Sequence, residues 1–120
     1  MTTRDVIAKA MSEEDLLTCC INLAQLLGWR VAHFRPARTS KGWRTAMQGD
    51  TGFPDLVLVE PRDRWMRPIM WVELKSEKGT LSPDQEAWRD ALLLAGQHWY
   101  LFRPSDWMDG SIERVLKGEA

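Results

Sequence analysis

The sequence predicts an α/β fold running α-β-β-β-α-β around a mixed sheet, and three observations predict it. Asp55-Leu56-Val57-Leu58-Val59-Glu60, bounded by Pro54 and Pro61, reads as one strand, and Trp71-Val72-Glu73-Leu74-Lys75, alternating polar or aromatic with aliphatic residues, reads as its hairpin partner. Ser82-Pro83-Asp84-Gln85 carries the signature of a helix start, and Gly96 marks its end. His98-Trp99-Tyr100-Leu101-Phe102 follows at once as a further strand. A strand, helix, strand unit of these lengths is a right-handed crossover, so the last strand lies parallel to the second arm of the hairpin.

The remaining elements follow in order. Residues 1–11 read as a frayed leader. Ser12 then caps a helix, with Asp15 as its capping-box partner and acids in the first turn, where the helix dipole favours them. Leu16, Leu17, Cys20, Ile21, Leu23, Ala24 and Leu27 give that helix a wide apolar face, and Gly28 stops it. Residues 29–35 alternate loosely as the first strand. Residues 36–52, with Gly42, Gly49 and Gly52, show no strong periodicity and read as a long loop, a kind of segment that is often functional. After a turn over residues 76–81, the second helix is expected to bury Ala87, Trp88, Ala91, Leu92 and Ala95. Pro104 breaks the last strand, Asp106 and Ser111 each open a short helical piece, and Ile112, Val115 and Leu116 pack back.

With 120 residues the chain is expected to form a single domain burying roughly two-thirds of its unfolded surface, with no need of disulfides. Cys19 and Cys20 are adjacent, which excludes an ordinary framework bridge, and no zinc-ligand spacing occurs. A reducing cytosol is the natural compartment. No apolar run is long enough to span a membrane, and the N-terminal stretch lacks the apolar core of a signal peptide. No glycine-rich phosphate loop is present, which argues against nucleotide-driven chemistry. His33 and His98 stand apart from each other and from any ligand spacing, and read as ordinary strand residues.

A net charge of −1 argues against a bulk nucleic-acid footprint. The distribution is uneven, however. Residues 16–49 hold Arg30, Arg35, Arg38, Lys41 and Arg44 and no acid. Arg35, Arg38, Lys41, Trp43 and Arg44 mix cations with an aromatic, a set suited to phosphates and exposed bases. A solvated loop is the plainer reading, and Trp43 also suits a core plug or a dimer contact.

Alternation places Glu73 and Lys75 on one sheet face and Leu74 on the other. If residues 61–68 close a hairpin with Glu60 paired to Met70, Asp55 lies opposite Lys75 and on the same face. A register shifted by two residues sets Asp55 opposite Glu73 and keeps that conclusion. Asp55 and Glu73 then supply hard oxygen ligands for a divalent ion such as Mg²⁺, and the Leu74 carbonyl supplies another. Lys75 is placed to hold an attacking water and offset phosphate charge. Phosphodiester hydrolysis fits this set best. The competing reading is cross-strand ion pairing on a solvated face, worth about 0.2–1 kcal/mol per pair.

At these residues the chain resembles a known family. Gly52-Phe53-Pro54-Asp55 followed by Glu73-Leu74-Lys75 is similar to the PD-(D/E)xK nuclease superfamily, and the wording resembles its VRR-NUC branch. The helix bearing Glu14, Val72-Glu73-Leu74-Lys75, and Leu81-Ser82-Pro83-Asp84-Gln85 with Trp88 and Gly96 match that branch in order, over about residues 12–107. The resemblance implies a restriction-endonuclease-like αβββαβ core, its mixed sheet flanked by helices. It implies catalytic roles for Asp55, Glu73 and Lys75, a metal-assisting role for Glu14, and Gln85 near the active site, where capping is the alternative use of that side chain. It implies Mg²⁺ or Mn²⁺ as cofactor, branched DNA such as junctions or flaps as substrate, and a bacterial or phage-infected cytoplasm. Relatives of this size often act as dimers, although no stretch of this sequence marks a dimer interface. A non-catalytic DNA-binding or assembly module is the competing function; the presence of Asp55, Glu73 and Lys75 together favours the enzyme.

Overall fold

The computed structural model describes residues 1–34, 37–39, 42–44, 48–62 and 68–119, with backbone alone at 37–39 and 42–44. Four strands make the main sheet: β1 (Arg30–His33), β4 (Leu56–Val59), β5 (Ile69–Leu74) and β6 (His98–Phe102), in the order β1-β4-β5-β6. β4 runs antiparallel to both β1 and β5, and β6 is parallel to β5. The mixed sheet is thus present, and β6 reaches its place through α3 (Pro83–Leu94), the crossover helix. With α2 (Glu13–Leu26), these elements form the αβββαβ core.

α2 begins with both halves of its capping box made: the Ser12 hydroxyl accepts the Asp15 N–H and the Asp15 carboxylate accepts the Ser12 N–H. Leu16, Cys20 and Ala24 are its buried stripe, and Leu17, Ile21, Leu23 and Leu27 flank it. They meet Leu56 and Leu58 of β4, Met70, Val72 and Leu74 of β5, and Phe102 of β6. Ile112 and Leu116 of α5 (Ser111–Leu116) complete this core, which Trp29 closes by donating its indole N–H to the Leu116 carbonyl at 2.8 Å. Because strand side chains alternate, the same registers leave Asp55, Trp71 and Glu73 for the opposite face. No helix among the described residues is long and apolar enough to cross a membrane.

Five expectations about the elements are corrected. The stretch read as a frayed leader contains α1 (Thr3–Ala10), which has its own capping box between Thr2 and Asp5 and packs on α4 (Pro104–Met108). Ala8 is its one buried residue and Val6 and Ile7 stay about half exposed, so a helix of eight residues offers little buried apolar surface. Within the expected loop, β2 (Ala37–Thr39) and β3 (Gly42–Arg44) pair as a small antiparallel ladder. The β4–β5 register pairs Leu58 with Met70 and Leu56 with Val72, two residues from the Glu60 to Met70 pairing, and so is the alternative that sets Asp55 opposite Glu73. Glu60 instead donates its N–H to the Pro68 carbonyl and folds its buried carboxylate onto Arg62, whose N–H and Nε lie 2.8 and 3.1 Å from it.

The fourth correction concerns α3. Its Ser82 and Gln85 capping box and leading Pro83 are as expected, but Ala87, Ala91 and Ala95 are exposed. The helix turns Gln85, Trp88 and Leu92 inward, a stripe of the same helical period displaced around the axis. Alanine suits either environment, so composition did not identify the buried side. Beyond β6, the helical turn begins at Pro104 rather than Asp106, and the Asp106 carboxylate accepts the Arg103 N–H at 2.8 Å.

Candidate active site

The lead-in to β4 is built around glycine and an aromatic hub. Gly52 has φ +91°, and a Cβ there would fall 2.5 Å from the Asp84 carbonyl carbon and 2.7 Å from the Gln85 nitrogen. Only glycine lets the chain pass this close to the first turn of α3 in that conformation. Phe53 then sits edge-on to Phe34, Trp71 and Trp88, with centroids 5.1, 5.8 and 4.9 Å away, tying the end of β1, the middle of β5 and α3 to one ring. Thr51 donates its hydroxyl to Asp84, and the Trp88 indole N–H reaches the Asp50 carbonyl at 3.3 Å. Pro54 is buried, and the next residue is Asp55.

Asp55 accepts the Leu74 N–H at 2.8 Å, which holds its carboxylate across the sheet from β5. One oxygen from each of Glu13, Asp55 and Glu73 lies within 4.8 Å of the others. Glu73 is only 2% exposed. Burial raises its pKa, the Asp55 charge raises it further, and Lys75 acts in the opposite direction. Burial likewise raises Asp55, against the Leu74 N–H and the charges of Lys75 and His33. Glu13 is exposed along most of its length, but its carboxyl end approaches the other two, and desolvation followed by the Asp55 charge raises it as well. Three carboxyls displaced upward together make a site that favours added positive charge, either a proton or a metal ion.

Gln85 does two things at once. Its Oε1 accepts the Ser82 N–H at 2.9 Å, completing the α3 cap, and its Nε2 donates to Glu73 Oε1, also at 2.9 Å. Capping and approach to the site, separate readings from sequence, are the two ends of one amide. The cap requires the oxygen to face Ser82, so the NH₂ must face the carboxylate.

The structure therefore brings Asp55, Glu73, Gln85 and the Leu74 main chain together, with Lys75 close enough for its charge to act on Glu13, Asp55 and Glu73. In an extended strand the N–H and C=O of a residue point to the same side, so the Leu74 carbonyl faces the Asp55 side too. Glu14 is exposed on α2 and is not a member of the carboxylate group; its neighbour Glu13 is. Glu13 stands three and seven residues before Leu16 and Cys20, the stripe that the structure buries, but Glu14 stands in the same relation to Leu17 and Ile21, so spacing alone favoured neither. His33 was set aside in the sequence, yet it is near enough to favour the charged form of Asp55. Arg35 and Lys41 lie outside the described residues, as do the side chains of Arg38, Trp43 and Arg44; the backbone pairs Arg38 with Trp43 and Arg44 with Ala37 across the β2–β3 ladder.

The family model described as VRR-NUC domain matches residues 3–101, from α1 to β6. A solved structure described as a VRR_NUC domain matches with a TM-score of 0.58 and 22% identity, covering 85% of this chain and 96% of that one. At that identity the likeness speaks for the fold. No curated protein sequence matches the chain.

Proposed function

The chain belongs to the VRR-NUC domain family, a family of nuclease-type domains, and from that premise we propose that it is a metal-dependent DNA endonuclease selective for branched DNA such as junctions or flaps. The observation that supports this reading is the approach of Glu13, Asp55 and Glu73 within 4.8 Å. Their oxygens are the hard donors that Mg²⁺ or Mn²⁺ takes, and their pKa values are raised first by burial and, for Glu13 and Glu73, then by the Asp55 charge, a cost of holding bare negative charge that a divalent cation relieves. Glu13, Asp55 and Glu73 would hold the ion, with the Leu74 carbonyl available as a further oxygen. A cation there supplies Lewis acidity, lowering the pKa of water and neutralising phosphate charge.

The protein's own groups do the rest. Leu74 N–H fixes the Asp55 carboxylate, and Gln85 fixes the rotamer of Glu73 while leaving its second oxygen free of that bond. Lys75, from the end of β5, orients the attacking water and offsets charge gathering on the phosphoryl oxygens. DNA contact falls to the basic segment containing Arg35, Arg38, Lys41, Trp43 and Arg44. A homodimer presenting two sites to opposite strands would suit symmetrical cutting of a junction.

The deciding experiment is cleavage of duplex, flap and four-way-junction DNA with Mg²⁺ or Mn²⁺, with Glu73→Gln and Lys75→Ala as controls and sedimentation of free protein and complex alongside. Metal-dependent cleavage of the branched substrates, lost in both variants, is expected. Binding without cleavage of any substrate would assign the chain to a non-catalytic DNA-binding role.

A further inference from the structure

We infer that Arg103 is a positioning residue for this reaction, holding the turn that leads from Lys75 to Gln85; the inference rests on the catalytic reading above. Lys75 is the last β5-side residue before the turn, and its N–H donates to the Phe102 carbonyl at 3.1 Å. The next residue after Phe102 is Arg103, half-buried, whose Nη1 lies 2.9, 3.2 and 2.7 Å from the carbonyls of Ser76, Glu77 and Gly79. One guanidinium nitrogen therefore gathers three main-chain oxygens of a single turn. From the other side the Glu77 carboxylate accepts the Ser105 N–H at 2.9 Å, at the start of α4.

The turn so held lies against the catalytic lysine. A Cβ at Gly79 would stand 3.5 Å from Lys75 Cδ and 3.0 Å from Ser76 Oγ, so the turn backbone packs along the lysine stem. Three residues beyond Gly79 the chain reaches Ser82, whose cap sets Gln85 against Glu73. Arg103 thus constrains the end of the segment that carries Lys75, while Gln85 at the far end is held by its own capping box with Ser82, so the clamp acts on the lysine without touching the carboxylates or their metal affinity. Without it, three carbonyls grouped for one donor lose it together, and the turn no longer confines the lysine stem. Misplacement of a reacting group by about 1 Å costs roughly 10²-fold in rate.

The test uses the full chain with Arg103→Ala, Arg103→Lys and Glu77→Gln. Arg103→Ala is expected to lower kcat on a four-way junction by about 10- to 100-fold while KM for DNA and the Kd for Mn²⁺ stay within about twofold. Arg103→Lys should recover at least half of that loss on a logarithmic scale, since one ammonium carries three donors. Glu77→Gln, which loosens the opposite anchor, should move kcat in the same direction by less and carries the test if Arg103→Ala does not fold. In metal-free protein, acylation of Lys75 by an amine-reactive ester, read by mass spectrometry, should quicken several-fold in Arg103→Ala and return toward wild type in Arg103→Lys. Unchanged kcat, or a parallel loss of Mn²⁺ affinity, overturns the inference. If the wild type cleaves nothing the catalytic reading fails, and Lys75 acylation equal in all variants then separately overturns the placement of the lysine by Arg103.

Discussion

Replacing Gly52 with alanine tests how the site is assembled. The left-handed φ of +91° costs a residue with a Cβ roughly 1–2 kcal/mol. The added carbon would also stand 2.5 Å from backbone carbon of Asp84, where ordinary contact starts near 3.4 Å, so the first turn of α3 must retreat by about 1 Å. Such a retreat takes the Gln85 to Glu73 bond from 2.9 Å beyond the roughly 3.2 Å limit of a good hydrogen bond and leaves a buried carboxyl short of a donor. Strain and overpacking together are expected to cost about 2–4 kcal/mol. Urea unfolding should show a midpoint lowered by on the order of 1–2 M with an unchanged slope, and Mn²⁺ titration of the variant should show weaker binding. A midpoint within roughly 0.3 M of wild type, together with full metal affinity, would refute the claim that this glycine sets the distance between α3 and the carboxylates.

Four further outcomes are expected. Glu13→Gln should weaken Mn²⁺ binding by about tenfold, equivalent to ~1.4 kcal/mol, while Glu14→Gln leaves it within about twofold; calorimetry showing the reverse order would return the role to Glu14. Because Glu73 is raised in the fold, metal-free stability is fullest below its ordinary value of 4.5 and falls as pH rises through the folded value, by at most about 1.4 kcal/mol per pH unit for one proton; Glu73→Gln should flatten that decline in urea unfolding from pH 5 to 9, and an unchanged slope counts against the account. Gln85→Glu keeps an oxygen for the Ser82 cap but sets a carboxylate against Glu73, so cleavage should fall by about tenfold or more while helix content measured by circular dichroism stays the same; wild-type rates would show that the amide NH₂ is dispensable. Replacing Arg38, Lys41 and Arg44 together with alanine should weaken DNA binding and flatten its dependence on salt, and an unchanged salt slope would make the segment a solvated one.

Much of the architecture was legible because its signals are short. Ser12 with Asp15, and Ser82 with Pro83 and Gln85, mark helix starts within four residues, and both capping boxes form. The β4 and β5 runs and the crossover to β6 likewise follow from alternation, breakers and handedness. The β4–β5 register was harder to read, since two registers differing by two residues keep the same side chains on the same faces and alternation cannot choose between them. Choosing Glu13 over Glu14 needed the phase of α2 against the sheet, and two overlapping apolar stripes, through Leu16 and Leu17, left both phases open. For α3, the stripe expected to be buried joined Ala87, Ala91 and Ala95 to Trp88 and Leu92; of these only Trp88 and Leu92 turn inward, because alanine beside them carries no weight in setting the phase.

The sequence by itself determined the six elements of the αβββαβ core and their order, and that Asp55 and Glu73 share a sheet face, because capping, alternation and strand parity act over a few residues; α1, β2 and β3 escaped it. Only the tertiary structure decided that Glu13 completes the carboxylate group, that one amide of Gln85 serves both the α3 cap and Glu73, and that Arg103 gathers the turn after Lys75. Those facts depend on how α2, α3 and the β6–α4 junction are docked on the sheet. Docking is set by close packing among distant residues, as where Gly52 admits the first turn of α3, and no local pattern encodes a distance of that kind.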